Sequence, residues 1–498
     1  MPNYAYDRLS AMDTSFLVFE NHATHMHVAA TVIFDKGPFA TADGGVDIER
    51  IRAYIESRLY RIPRYRQRLA WIPLENYPVW VDDDHFNIDY HVRHTSLPRP
   101  GDEQQLKRLS ARIVSQQLDR GKPLWETWIV EGLDGDRFAM VTKTHHCMID
   151  GISGVDILTV LLDMAPDGTI EETPPFIPRP APRGVQLLRE EVFRRVREPF
   201  GIVSRVLSTP GELANSMMEG LSAVGETIAG SLGAASETPF NRPIGPHRRF
   251  DWLTMDLGEV KAVKNRLGGT VNDVVLATVS GAVRRFLEGR RINVETLDFR
   301  AMVPVSTRTA QERGTLGNRV SGWVTTLPIA ERDPRERLAK VSRTTADLKD
   351  SRQAMGAEML AQVTEWTGST LLTIAMRLAL RARPFNLVVT NVPGPQIPLY
   401  LLGSRMRCAY PLVPLFFNQG LGIALFSYAG KLFWGFNADW DTLPDLDVFA
   451  EAIQASFAEL LGAAGQQVVM PVSKRRPRQP RAVPPPRHGR RSAAHAAN

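Results

Sequence analysis

The sequence predicts an α/β protein made of two mixed sandwich-like units that face each other, joined by a partly helical linker. Three observations predict it. Each half interleaves strand and helix patterns without the regular βαβ alternation of a doubly wound parallel sheet. A proline-rich stretch, "TPPFIPRPAPRG" at 173–184, separates the halves. The chain has 498 residues, 43% hydrophobic and 23% charged, which is enough for two or three cores of ordinary soluble composition. The boundaries read 1–172 for the first unit, 173–246 for the linker, 247–471 for the second unit and 472–498 for a basic tail.

In the first unit, β-branched "MHVAATVIF" at 26–34 predicts a strand. Ile48, Ile51, Ile55 and Leu59 share one helical face, as do Leu106, Leu109, Ile113, Val114 and Leu118. "LWETWIVEGL" and "RFAMVTKTHH" flank an Asp134-Gly135 turn and read as a hairpin. Helical spacing returns in "SGVDILTVLLDM", with Ser153 as its cap. In the linker, Val185, Leu188, Val192 and Val196 line one face opposite several arginines. That helix is expected to pack on the body, with a membrane surface as the alternative. The small-residue stretch 211–236 fits a loosely packed helix or a mobile segment. The second unit opens with strand "RRFDWLTMDL", helix "GEVKAVKNRL" and a strongly periodic helix, "TVNDVVLATVSGAVRRFL". Strands "FRAMVPVST" and "SGWVTTLPI", a surface helix from 334, a buried helix near 358–380, strands across 386–438 and a final helix from 446 complete it.

Two uncharged runs, 384–404 and 408–430, have the length of a membrane span. Pro393, Pro395, Pro398, Pro411 and Pro414 break them, so they read as buried strands. Two cysteines make no disulfide framework and the first residues lack a secretory pattern, so a cytoplasmic location is expected. Basic residues number 60 against 54 acidic ones, but Lys474, Arg475, Arg476, Arg478, Arg481, Arg487, Arg490 and Arg491 lie in the tail, which has no acid. The remainder carries about −2, which argues against a nucleic-acid partner. The tail is expected to be disordered, either a tether to anionic lipid or a solvated end.

Chemistry concentrates at "TKTHHCMIDG", 142–151. If the strand runs to His146, His145 and His146 point to opposite faces and do not chelate one metal. His146, where the chain leaves the sheet, is the candidate general base: an imidazole can take a proton from an alcohol attacking a carbonyl. Asp150, at a turn eased by Gly151, is placed to fix the loop. A satisfied strand-end histidine beside an ordinary turn is the bland alternative. No G-x-S-x-G elbow, H-E-x-x-H, Walker loop or G-x-G-x-x-G occurs. His25 and His27 lack a third metal ligand at recognisable spacing, and Cys147 reads as an apolar filler.

"HHCMIDG" fits the HHxxxDG motif of acyltransferases that use coenzyme A or carrier-bound acyl groups, including chloramphenicol acetyltransferases and condensation domains. More narrowly the chain resembles the bacterial wax ester synthase/diacylglycerol acyltransferase family, through "LSAMDTSFLVFE", "PLWE", "GGTVNDVVLATVSGAVRRFL", "RAMVPVSTR", "GTLGNRVSGWVTTLPI" and "NVPGP". The resemblance covers about 9–465; the basic tail lies outside it. It implies two chloramphenicol acetyltransferase-like domains across a channel. His146 is then catalytic, supported by His145 and Asp150. Gly151, Asn272, Asp273, Pro123, Leu124 and Trp125 are the matching substrate-side positions, with Asn272 a candidate oxyanion donor. The implied partners are acyl-CoA, as co-substrate with no resident cofactor or metal, and diacylglycerol or a long-chain alcohol. The uncharged strands of 384–430 would wall the acyl chains, and the inner membrane surface or lipid droplets would be a peripheral location. Acyl transfer to a polyketide or other lipid hydroxyl, and non-catalytic lipid-droplet binding, are the alternatives.

Overall fold

A computed structural model describes residues 6–74, 77–148, 160–182, 184–189, 234–306, 320–350 and 383–465. The first half contains β1 (Asp7–Arg8), α1 (Ala11–Phe19), β2 (His27–Asp35), α2 (Ile48–Arg58), β3 (Gln67–Ile72), β4 (Tyr77–Asp82), the one-turn α3 (Ile88–His91), β5 (Val92–Ser96), α4 (Glu103–Val114), β6 (Trp125–Leu133) and β7 (Arg137–His145). The second half contains β8 (Arg248–Asp256), α5 (Leu257–Leu267), α6 (Val271–Gly289), β9 (Arg300–Ser306), β10 (Val320–Thr326), α7 (Pro334–Asp350), β11 (Leu387–Pro393), β12 (Tyr400–Leu401), β13 (Ser404–Leu412), β14 (Leu421–Tyr428), β15 (Lys431–Asp439) and α8 (Leu446–Gly465).

The strands form two six-stranded sheets, ordered β12-β13-β2-β7-β6-β5 and β10-β9-β11-β14-β15-β8, and a small sheet β1-β4-β3. In the large sheets β5–β6, β9–β11 and β11–β14 pair in parallel; the other pairs are antiparallel. Each large sheet is mixed, as the irregular alternation of elements predicts. The chain does not divide at the linker, however. Residues 400–412 lie inside the segment expected to belong to the second unit alone, yet β12 and β13 complete the first sheet, with β13 against β2.

Local chemistry accounts for the helix starts. The Ser10 hydroxyl accepts the Asp13 N–H at the head of α1. Asp102 with Gln105 and Thr270 with Asp273 form capping boxes on α4 and α6. Helix α6 is buried along nearly its whole length in the second core. Where β13 crosses β15, a Cβ on Gly435 would collide with the Pro411 carbonyl oxygen, so the two sheets meet only because that position has no side chain.

The uncharged runs are strands, as expected. Leu421, Ile423 and Leu425 of β14 fill the second core, and Phe426 and Tyr428 the first, so the expected acyl wall is here given over to core packing. Among the described residues no helix is long and apolar enough to cross a membrane. The described start of the linker helix, 184–189, buries Leu187 against Ile72, Val79 and Val81 and leaves Val185 79% exposed. It packs on the body through a different face from the one read in the sequence. The helices expected after Gly151 and near 358–380 lie wholly or largely outside the described residues, as does the tail.

Candidate active site

Strand β7 ends one residue earlier than expected. His145 is its last residue, and His146 opens a 3-10 turn, His146–Met148. The reason is a side-chain bond: the Cys147 backbone N–H donates to His145 Nδ1 at 3.2 Å, which pulls the chain out of the extended form. The sheet still holds both histidines by their backbones. His145 N–H donates to the Leu124 carbonyl at 2.9 Å and His146 N–H to the Met26 carbonyl at 2.8 Å.

The two rings have different surroundings, although the turn at His146 and not strand alternation separates them. His145 is fully buried. His146 is half-buried, and its ring stacks on Phe16 of α1 with centroids 3.9 Å apart. Its Nδ1 is enclosed and has no hydrogen-bond partner among the described residues. Burial, reinforced by neighbouring His145, lowers the His146 pKa to about 4. The ring is therefore neutral at physiological pH and can accept a proton.

Behind the pair is a polar cluster whose members are far apart in sequence. Glu20, the C-cap of α1, has a carboxylate only 4% exposed. Its Oε1 is 3.3 Å from His27 Nε2; its Oε2 accepts from Arg120 Nη2 at 2.9 Å and lies 3.6 Å from His145 Nε2. Burial would raise this carboxyl, but the imidazoles of His145 and His27 hold it well below the ordinary carboxylate range. His25 stacks beside His27 at 5.7 Å, and burial brings both rings to about 4. The legible signal was one acid closing an apolar stretch a few residues before His25 and His27. Among the described residues no group of three or more His, Cys, Asp or Glu is arranged to hold a metal ion. Cys147 is buried, and burial pushes its thiol well up, but it is more than the apolar filler expected: its Sγ lies 2.9 Å from His145 Nδ1.

Pro123, Leu124 and Trp125 are all buried at the head of β6. Leu124 supplies the carbonyl that seats His145. Trp125 donates from Nε1 to the Tyr65 carbonyl at 2.9 Å and stacks on His91 at 4.6 Å. Asp273 caps α6 and accepts the Thr345 hydroxyl at 2.7 Å, tying α6 to α7. Asn272 is exposed, and its Oδ1 accepts from Asn391 Nδ2 at 2.7 Å, joining the "ND" and "NVPGP" segments beside a small cleft with Trp323 and Lys349. Among the described residues no hydrogen bond or ring contact links that group to the histidine turn. Asp150 and Gly151 lie outside the described residues.

Comparison with known proteins gives consistent matches. Residues 9–275 match the wax ester synthase/diacylglycerol acyltransferase catalytic domain, and residues 316–461 match the C-terminal domain of the same proteins. A Mycobacterium tuberculosis (strain CDC 1551) protein that carries a diacylglycerol O-acyltransferase name is 33% identical over 93% of this chain and 92% of its own. Another from strain H37Rv, named a probable diacylglycerol O-acyltransferase, is 31% identical over 93% of this chain and 97% of its own. The solved wax ester synthase/diacylglycerol acyltransferase of Marinobacter aquaeolei VT8 superposes with a TM-score of 0.67 at 26% identity, over 92% of this chain and all of that one. The first condensation domain of the CDA synthetase shares the fold, with a TM-score of 0.55 at 15% identity over 94% and 98% of the two chains.

Proposed function

Because this chain belongs to the wax ester synthase/diacylglycerol acyltransferase family of acyltransferases, we propose that it moves a fatty acyl group from acyl-CoA to diacylglycerol with His146 as general base. The acceptor hydroxyl gives its proton to His146 Nε2, because Nδ1 is enclosed. The hydroxyl oxygen attacks the thioester carbonyl, and the C–S bond breaks as the tetrahedral adduct collapses. His146 returns the proton to the departing sulfur, giving triacylglycerol and free coenzyme A. The thioester and the acceptor approach from opposite sides of a passage between the two sheet domains.

The observation that carries this reading is the neutral imidazole of His146, held where β7 leaves its sheet and stacked on Phe16. Diacylglycerol is the first acceptor because the relatives above carry that name; a long-chain alcohol is second because the Marinobacter protein is named for both reactions. The test is thiol release from acyl-CoA by purified protein with each acceptor, with products identified by mass. His146→Ala should slow release by about 100-fold or more. Wild-type turnover by that variant refutes the base assignment, and acylated alcohol without acylated diacylglycerol refutes the acceptor.

A further inference from the structure

The base assignment leaves the buried Glu20 carboxylate without a task. A carboxylate only accepts hydrogen bonds, so an imidazole nitrogen facing it gains by carrying a proton. Nε2 of His27 faces Glu20 Oε1 at 3.3 Å. Nε2 of His145 faces Oε2 at 3.6 Å, just beyond hydrogen-bond length but within reach of the charge. On the other side of the His145 ring, Nδ1 accepts the Cys147 N–H at 3.2 Å and faces the Cys147 thiol at 2.9 Å; an acceptor of the N–H must be bare, so the S–H donates too. The Cys147 N–H requires an open Nδ1, and the Glu20 charge favours a proton on Nε2, so both sides select the same neutral form of His145. That open Nδ1 closes the turn on which His146 leaves the strand.

Helix α1 holds the other histidine as well. Phe16 and Glu20 are four residues apart and share a helix face. Phe16 packs on the His146 ring while Glu20 addresses His145 and His27. Arg120 fixes the carboxylate from outside by two bonds to Oε2, at 3.2 and 2.9 Å.

We infer that Glu20 is a positioning residue for acyl transfer: it sets the tautomer of His145 and, through the Cys147 N–H bond, the turn that aims His146. The inference rests on His146 being the base, and its test separates the two claims. In full-length protein with 15N-labelled imidazoles, wild-type His145 should show a protonated-type Nε2 signal and an unprotonated-type Nδ1 signal. Glu20→Gln replaces one acceptor oxygen with an NH2 group that cannot accept. The variant should mix or reverse the His145 pattern and lower kcat by about tenfold or more, equivalent to about 1.4 kcal/mol, with the KM for acyl-CoA nearly unchanged. Glu20→Asp, which keeps the charge, should restore much of both.

A protonated Nδ1 on wild-type His145 overturns the inference, even if Glu20→Gln fails to fold. So does Glu20→Gln with wild-type kcat, or with lost kcat and an unchanged His145 pattern. Failure of the base reading appears separately, as full turnover by His146→Ala, and would leave the His145 spectrum standing.

Discussion

At the scale of the residue, the His146 ring couples exposure to charge. Burial is the main cause of its low pKa of about 4, and Phe16 supplies one wall of that burial. The base form exists above the pKa, so kcat/KM should be flat from about pH 6 to 8 and fall as pH drops toward 4. Phe16→Ala admits water to the ring, and reduced desolvation moves the pKa up toward the ordinary 6.5. The acidic limb of the pH–rate profile should shift to higher pH; an unshifted limb would show that Phe16 does not control the ring. His145 and His146 were legible in the sequence because they are adjacent and precede an Asp-Gly. Glu20 was not, because its partners His27, Arg120 and His145 come from three separated segments that only the sheet brings together.

At the scale of the element, long periodic segments were legible and short ones were not. Helices α2, α4, α5 and α6 and strands β2, β6, β7 and β8 fall within a few residues of the expected ranges. Helix α1 has nine residues and few polar positions to mark a face, so its periodicity is weak, although it seats the histidines. The hairpin β3–β4 has a weak sequence signature: its second strand, "YPVWVD", carries Pro78 inside an apolar run. The meeting of β13 with β15 had no local signature beyond a lone glycine. Gly435→Ala should force that crossing apart and destabilise the protein by about 1–3 kcal/mol, read as a lower Tm. An unchanged Tm would mean that the sheets can separate there without strain.

At the scale of the whole molecule, four histidines tie stability to pH. Burial brings His25, His27, His91 and His146 each to about 4, from 6.5. Between those values the unfolded chain binds protons that the folded chain does not, so stability falls on acidification from pH 6.5 toward 4. Each ring contributes up to about 1.4 kcal/mol per pH unit in that window. The depressed carboxylates act lower. Burial would raise Asp82, but Arg179 and Gln67 bring it to about 2, and its contribution is lost only as pH falls below the ordinary carboxylate range. The urea midpoint should therefore be lower at pH 5 than at pH 7; equal midpoints would mean that the histidines are hydrated. The two-domain architecture was legible from composition and mixed patterning. The exchange of β13 was not, since strand pairing across the chain leaves no mark on local periodicity.

That exchange also constrains biosynthesis. Strand β2, which pairs with the histidine-bearing strand on one side, has its other edge covered by residues 406–412. A ribosome has to travel about 380 codons beyond β2, to residue 412, before that edge can be closed. Until then the nascent sheet presents open backbone amides and carbonyls to any passing strand. The first half, expressed by itself, should be recovered in inclusion bodies.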